Sequence, residues 1–172
     1  MQKTILVTGA SSGIGKAASL YFAAKGWNVI AAIQFFCCAK KLLEHASILV
    51  KELDVTDITS IENIIIDGID AFGGIDIVLN NGCELTDAQS GKMPKKFNAN
   101  ISETINVMRA ILPHFRIRNR GIVVNVNSAA ENITVGVYEP AAGNIIRKEC
   151  FSGEVFVDLR SSILDYFDSL LD

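Results

Sequence analysis

The 172-residue sequence predicts an α/β protein built on a doubly wound parallel sheet. Three observations carry the prediction. An apolar run, Ile5-Leu6-Val7, leads into a turn holding Gly9, Gly13 and Gly15, and the turn leads into a helical pattern of Ile14, Ala17, Ala18 and Tyr21. Beyond it, strand-like apolar runs alternate with helical segments, five strands and four helices up to Ser128. Such alternation folds with the strands parallel and the helices on both faces. The length and a 49% hydrophobic content suit one domain, residues 1–172, with a real core.

The glycine turn is the first candidate site. Backbone N–H groups at the start of a helix, with the positive end of its dipole, hold phosphate. Glycine lets a pyrophosphate, or the helix itself, come close. The P-loop pattern fails, because Ala10 stands where its first glycine belongs and Ala17 where its Ser or Thr belongs. The residues alone leave a ligand-free glycine turn open as well.

The formal charge is −3 and no basic stripe is present, which argues against nucleic acid as the main partner. Lys92, Lys95 and Lys96 read as a solvated helix start. No apolar run approaches membrane-spanning length, and residues after Met1 go straight into a strand, so a cytoplasmic protein is expected. Cys37, Cys38, Cys83 and Cys150 form no Cys-x-x-Cys pair, and no metal site is expected.

In order, the first helix is expected to run to about Lys25 and to stop at Gly26. Asn28–Ile33 is the second strand, 39–45 a short helix, and Ser47–Leu53 the third strand. Phe35-Phe36-Cys37-Cys38 is unusually apolar for a loop. Asp57 or Thr59 caps the next helix, the latter through a Thr59-x-x-Glu62 box. That helix carries Ile61, Ile64, Ile65 and Phe72 on one stripe and ends at Gly73-Gly74. Ile75–Leu79 is the fourth strand. A long helix over 94–118 has a stripe of Phe97, Ile101, Ile105, Met108, Leu112 and Phe115, and Gly121–Val126 is the fifth strand.

The spacing Thr8-Gly9-x-x-x-Gly13-x-Gly15 resembles the cofactor turn of the short-chain dehydrogenase/reductase family, and further motifs follow in the family's order over residues 3–140. The resemblance implies a three-layer Rossmann-like fold that binds a nicotinamide dinucleotide. Gly9, Ser11, Ser12, Gly13, Ile14 and Gly15 are its expected pyrophosphate turn. Asp54 and Val55, in Asp54-Val-Thr-Asp57, fall where the family meets the adenine ring. Asn80, Asn81 and Gly82 resemble the family's Asn-Asn-Ala-Gly motif, with Gly82 in place of alanine and Cys83 in place of glycine. Asn100 matches the asparagine that orders a proton-relay water, although a polar residue merely tolerated in a helix fits too. Ser128 matches the serine that polarises the substrate oxygen. The residue that selects NAD through an acidic side chain falls on Ile33. With no acid there, and with Gln34, Lys40 and Lys41 nearby, NADP is expected over NAD.

The resemblance breaks after Ser128. The family's catalytic Tyr-x-x-x-Lys pair lies one helical turn apart. Here Tyr138 is followed four residues on by Ala142, with Pro140 between them. Asn132–Pro140 instead looks like the family's sixth strand, so the intervening helix is missing and the join falls near Ala129 to Asn132. Gly153–Val157 is a possible last strand and Ser162–Leu171 a possible amphipathic helix. Two functions follow as expectations. One is an NAD(P)-dependent oxidoreductase acting on a small alcohol or carbonyl, and homo-oligomeric like its family. The other is a dinucleotide-binding module of the same fold without chemistry.

Overall fold

The apolar run before the glycine turn forms β1 (Thr4–Val7), every residue of it buried. In this computed structural model residues 2–36, 39–81, 93–129, 132–139 and 144–152 are described, with side chains described for 2–36, 39–81 and 103–126. The remaining elements are α1 (Gly13–Ala24), β2 (Asn28–Ile33), α2 (Lys40–Leu43), β3 (Ile48–Glu52), α3 (Ile58–Phe72), β4 (Ile77–Asn81), α4 (Met93–Arg118), β5 (Ile122–Ala129), β6 (Asn132–Glu139) and β7 (Asn144–Ser152).

Among the described residues the strand order is β3-β2-β1-β4-β5-β6-β7. The first five pair in parallel. The chain moves outward from β1 through β2 to β3, then returns to β4 on the other side of β1. This reversal opens a crevice at the C-terminal ends of β1 and β4, the place where open α/β sheets take ligands.

Strand periodicity divides the core in two. Ile5, Val7, Val29, Ala31, Ile33 and Leu79 face α1 and α2, where they meet Ala18, Phe22 and Leu42. Leu6, Ile30, Ala32, Val78 and Val123 face α3 and α4, where they meet Ile61, Ile64, Ile65, Val107, Ile111 and Phe115. A strand buried on both faces reads as a continuous apolar run, as β1 and β2 do.

The sheet departs from the all-parallel expectation at its far edge. β6 forms over Asn132–Glu139, close to the expected strand, but it runs antiparallel to β5, with Ala129 opposite Asn132. Only residues 130 and 131 lie between them. A parallel return needs a crossover of about a dozen residues or more, so this connection can only be a hairpin. β7 adds a second antiparallel strand, with a register shift between Val137 and Tyr138; no strand was expected over its residues. The possible strand at 153–157 and helix at 162–171 lie outside the described residues.

The buried faces of two helices also differ from expectation. α1 turns Gly15, Ala18, Ser19 and Phe22 to the sheet, one residue on from the expected row, while Ile14 and Tyr21 are half-buried. Among the described side chains of α4 the buried ones are Glu103, Val107, Ile111 and Phe115. Of the expected stripe, Phe97 and Ile101 lie outside the described side chains, Phe115 is fully buried, Ile105 is 41% exposed, and Met108 and Leu112 are half-buried. α4 has apolar residues on more than one face, so counting them could not decide which face meets the sheet. α3 holds to its expected stripe. Asp57 is its N-cap, accepting a bond from Thr59 N at 2.9 Å, and Gly73 ends it at φ +80°.

α4 is anchored at the end of the sheet opposite the crevice. Arg118 donates to Ile75 O at 2.8 Å and pairs with Asp76 at 3.3 Å. Asp76 also accepts from Thr4 N at 2.9 Å. His114 accepts the Ile75 N–H through Nε2 at 3.1 Å. Burial, then the Arg118 charge, holds the His114 pKa below its ordinary value.

Candidate dinucleotide site

The glycine turn sits at the crevice. Gly9 (φ +61°) and Gly13 (φ +52°) adopt left-handed backbone that other residues rarely tolerate. Gly15 is required for a different reason. A Cβ there would lie 2.3 Å from Gly9 O, so the start of α1 presses directly onto the turn. Ser12 is the N-cap, with extended backbone at φ −149°, and its carbonyl accepts from Lys16 N at 3.1 Å. Ser12 and Gly13 are exposed, and Ser11 and Ile14 are half-buried. The first N–H groups of a helix have no partner within it, so they point out of the end of α1 at this place.

β4 braces the turn. Thr8 N donates to Leu79 O at 3.0 Å, and Thr8 Oγ1 accepts from Asn81 N at 3.0 Å. Asn81 Nδ2 reaches back to Gly9 O at 3.4 Å. Asn80 points to the other face, where its Nδ2 donates to Asn125 Oδ1 of β5 at 2.8 Å. Asn80 Oδ1 is buried with no hydrogen-bond partner among the described residues. Gly82 and Cys83 lie outside the described residues.

At the ends of β2 and β3 the two candidate regions separate in character. Ile33 is 1% exposed and belongs to the core on the α1 side, with its carbonyl accepting from Leu53 N at 2.8 Å. Gln34 is the first exposed residue after β2, followed by Phe35 and Phe36 at 60% and 49% exposure. Asp54 is exposed, and its Oδ1 accepts from both Thr56 N and Thr56 Oγ1, which lowers its pKa. Val55 is half-buried against the α3–α4 core, and its carbonyl accepts from Asn106 Nδ2 at 3.4 Å.

Glu103 is the site residue that sequence reasoning missed. It is 5% exposed, in the row of α4 that faces the sheet. Burial pushes its pKa up to about 7, outweighing the opposing effect of the Thr8 hydroxyl. The spacing Glu103-x-x-x-Val107-x-x-x-Ile111-x-x-x-Phe115 was the available signal: a carboxylate in register with an apolar row.

A family model described as short chain dehydrogenase matches residues 3–140. The chain belongs to the short-chain dehydrogenase family. It is 32% identical over 146 residues to the 3-oxoacyl-[acyl-carrier-protein] reductase FabG of Thermotoga maritima, covering 79% of this chain and 57% of that protein. It is 35% identical over 141 residues to an NADP-dependent 3-hydroxy acid dehydrogenase of Schizosaccharomyces pombe, covering 74% and 54%. Among solved structures, a short-chain dehydrogenase from Streptomyces avermitilis superposes with a TM-score of 0.65 at 29% identity, over 74% of this chain and half of the other. ElxO with NADP bound gives 0.64 at 30% identity, over 74% and 56%. The chain thus spans little more than half the length of these relatives.

The turn fits the pyrophosphate such a family member holds. A Cβ added at Gly13 would meet nothing within 4 Å among the described residues, so the turn is open at that position. The first turn of α1 carries no acidic residue to repel an anion. The catalytic end of a short-chain dehydrogenase is a different matter. Asn100 lies on α4 and Ser128 on β5, where only their backbone is described. Tyr138 lies on β6 opposite Val123, whereas Ser128 lies opposite Ile133. Five residues along a strand are about 16 Å, so Tyr138 cannot stand beside Ser128. Among the described residues no cluster of His, Cys, Asp or Glu could hold a metal, and no helix is long and apolar enough to cross a membrane.

Proposed function

We propose that this chain binds NADP across the C-terminal ends of β1 and β4, as the cofactor-binding part of an oxidoreductase acting on a small alcohol or carbonyl. The observation that carries the proposal is the pressed turn. Gly15 packs onto the Gly9 carbonyl, and this leaves the open N-terminal end of α1 facing the crevice. The backbone of Gly9, Ser11, Ser12, Gly13, Ile14 and Gly15 receives the pyrophosphate. Asn80, Asn81 and Gly82 support the ribose side, and Asp54 and Val55 border the adenine. A bound nicotinamide supplies or accepts the hydride. On this reading Ser128 polarises the substrate oxygen and Asn100 orders a water that carries the proton.

NADP is preferred to NAD because no acidic side chain closes β2. Ile33 is buried in the core, Gln34 is exposed and uncharged, and Lys40 and Lys41 are exposed on α2. A relative's name, NADP-dependent 3-hydroxy acid dehydrogenase, agrees with this choice. A homo-oligomer is proposed through the outer face of α4, where Ile105 is 41% exposed; light scattering giving a monomer mass would refute it.

A second reading is a dinucleotide-binding module without chemistry. The antiparallel placement of Tyr138 on β6, five residues along the strand from the position opposite Ser128, favours it. Fluorescence titration with the reduced dinucleotide tests the shared part. Saturable binding is expected, and its absence refutes both readings. Turnover of an alcohol or carbonyl panel then separates them.

A further inference from the structure

We propose that a cavity at the N-terminal ends of β1, β4 and β5 binds an organic phosphate monoester, with the phosphate on Arg120 and Lys3 and the apolar body against Trp27 and Phe72. The cavity encloses about 560 Å³ and lies at the end of the sheet opposite the dinucleotide crevice. That volume suits a small organic ligand. The lining is cationic. Lys3, Arg118 and Arg120 face a single carboxylate, Asp76, in a chain whose formal charge is −3. Arg118 and Arg120 share one oxygen of that carboxylate, Asp76 Oδ1, at 3.3 Å and 3.5 Å. The other oxygen accepts from Thr4 N at 2.9 Å. One negative charge cannot neutralise two guanidiniums. Lys3 adds a third cation, with its ammonium 5.3 Å from the centre of the Trp27 ring.

The two arginines have different parts. Arg118 is fixed: its Nη1 donates to Ile75 O at 2.8 Å, and a Cβ at Gly74 would lie 2.5 Å from that nitrogen, so glycine is needed for the guanidinium to rest there. Its side chain is only 20% exposed, so it holds Asp76 in place and adds positive potential. The Arg120 side chain is 61% exposed, and its 3.5 Å approach to Asp76 leaves guanidinium N–H groups for another acceptor. The backbone aims it. Asn119 takes left-handed φ +52°, Asn119 N donates to Arg116 O, and Arg120 N donates to Phe115 O, both at 3.2 Å. This helix ending turns the chain back towards β5. It also takes up carbonyls whose partial negative charge would oppose an anion. Gln2 Nε2 does the same for Gly26 O at the end of α1. A guanidinium and an ammonium suit the several acceptor oxygens of a phosphate. A phosphate monoester carries about −1.5 to −2 near neutral pH, which matches the excess of two cations. A carboxylate would leave one cation unmatched, and a bare phosphate ion would leave the aromatic walls of Trp27 and Phe72 uncovered.

Trp27 is the single tryptophan of the chain, so its fluorescence reports on this cavity. Phenyl phosphate is the probe, with inorganic phosphate and phenol as its two halves and benzoate as the carboxylate control. At low salt and about pH 7.5, where the phosphate is mostly dianionic, phenyl phosphate should change the Trp27 emission saturably. Inorganic phosphate and benzoate should bind more weakly, and phenol should not bind. Added salt should weaken the phenyl phosphate complex. Arg120→Ala should lower its affinity by about tenfold, the effect of one charge-assisted hydrogen bond, and Lys3→Gln should lower it too. Gly13→Ala, at the other end of the sheet, should bind phenyl phosphate as the parent does. A loss of binding there would place the phosphate on the α1 turn and overturn the inference. No saturable change at millimolar phenyl phosphate overturns it, as do equal affinities in the parent, Arg120→Ala and Lys3→Gln. Phenol or benzoate binding as tightly as phenyl phosphate overturns the phosphate assignment. If neither cation variant folds, the parent's preference for phenyl phosphate over phenol and benzoate decides alone.

Discussion

Tyr138 stands opposite Val123 in an antiparallel pair, at the far end of β5 from Ser128. The two residues are thus about 16 Å apart along the strand direction, too far for a shared proton transfer. Pro140 follows two residues after Tyr138, and Ala142 stands where a lysine would be needed. Tyr138→Phe is therefore expected to leave dinucleotide binding unchanged, and to leave any carbonyl reduction by this chain unchanged too. An assay following oxidation of the reduced cofactor checks this. A large loss of an existing activity in a folded Tyr138→Phe protein would show that the tyrosine reaches the substrate.

The three glycines of the turn should respond differently to substitution. At Gly15 a Cβ meets Gly9 O at 2.3 Å and Asn81 Nδ2 at 2.9 Å, so Gly15→Val should destabilise the protein as well as abolish binding. That makes it a poor probe of the site. Gly13→Ala is the better probe. Its Cβ enters open space, and the cost is backbone strain of about 1–2 kcal/mol. Thermal melts should show a modest loss of stability, while dinucleotide affinity falls at least about tenfold. Unchanged affinity in Gly13→Ala would argue against a pyrophosphate on this turn.

Cofactor choice turns on weak, exposed charges. Lys40 and Lys41 lie on the surface of α2, so each contributes little. The dissociation constant for NADPH is expected to be lower than that for NADH by about threefold or more, the size of one exposed ion pair. The gap should narrow with added salt. Lys40→Ala with Lys41→Ala should close it. Tighter binding of NADH at the same salt would reverse the assignment.

His114 makes stability depend on pH. Its Nε2 accepts the Ile75 N–H, which a proton on that nitrogen would forbid. Because burial lowers its pKa, the unfolded chain binds the proton more readily than the folded one. Unfolding therefore takes up a proton at pH values below the ordinary 6.5, and the contribution, complete above 6.5, is lost as the pH falls through the folded pKa. Glu103 acts in the opposite sense, losing stability as the pH rises from 4.5 towards about 7. Parent and variant must therefore be compared at each pH. His114→Gln, whose amide oxygen can accept the same N–H, should lose less stability than the parent between about pH 7.5 and about pH 5 in urea titrations. Parallel curves would assign the acid sensitivity elsewhere.

Asp76 ties β1, α4 and the segment before β5 together, through Thr4 N, Arg118 and Arg120. Its side chain is 18% exposed, so removing it leaves Arg118 and the Thr4 N–H short of a partner in a partly buried place. Asp76→Ala should cost about 1–3 kcal/mol, measured by denaturant unfolding. The candidate dinucleotide site lies at the opposite end of the sheet, so affinity per folded molecule should not change.

What could be read without coordinates was local and periodic. The run into Gly9, Gly13 and Gly15 named both the first strand and the start of α1, because a buried parallel strand and a helix start leave different periods in adjacent residues. Tertiary structure decided what depends on contacts between distant segments. It turned Val107 and Ile111, rather than Ile105, to the sheet, since a helix apolar on several faces takes its orientation from what it meets. It buried the carboxyl of Glu103 in the row of α4 that meets the sheet. It also reversed β6. The two residues between Ala129 and Asn132 already contained that outcome, because so short a link cannot carry a strand back to the start of its neighbour; but the resemblance to a parallel family masked it, and only the register of β6 against β5 made the constraint visible.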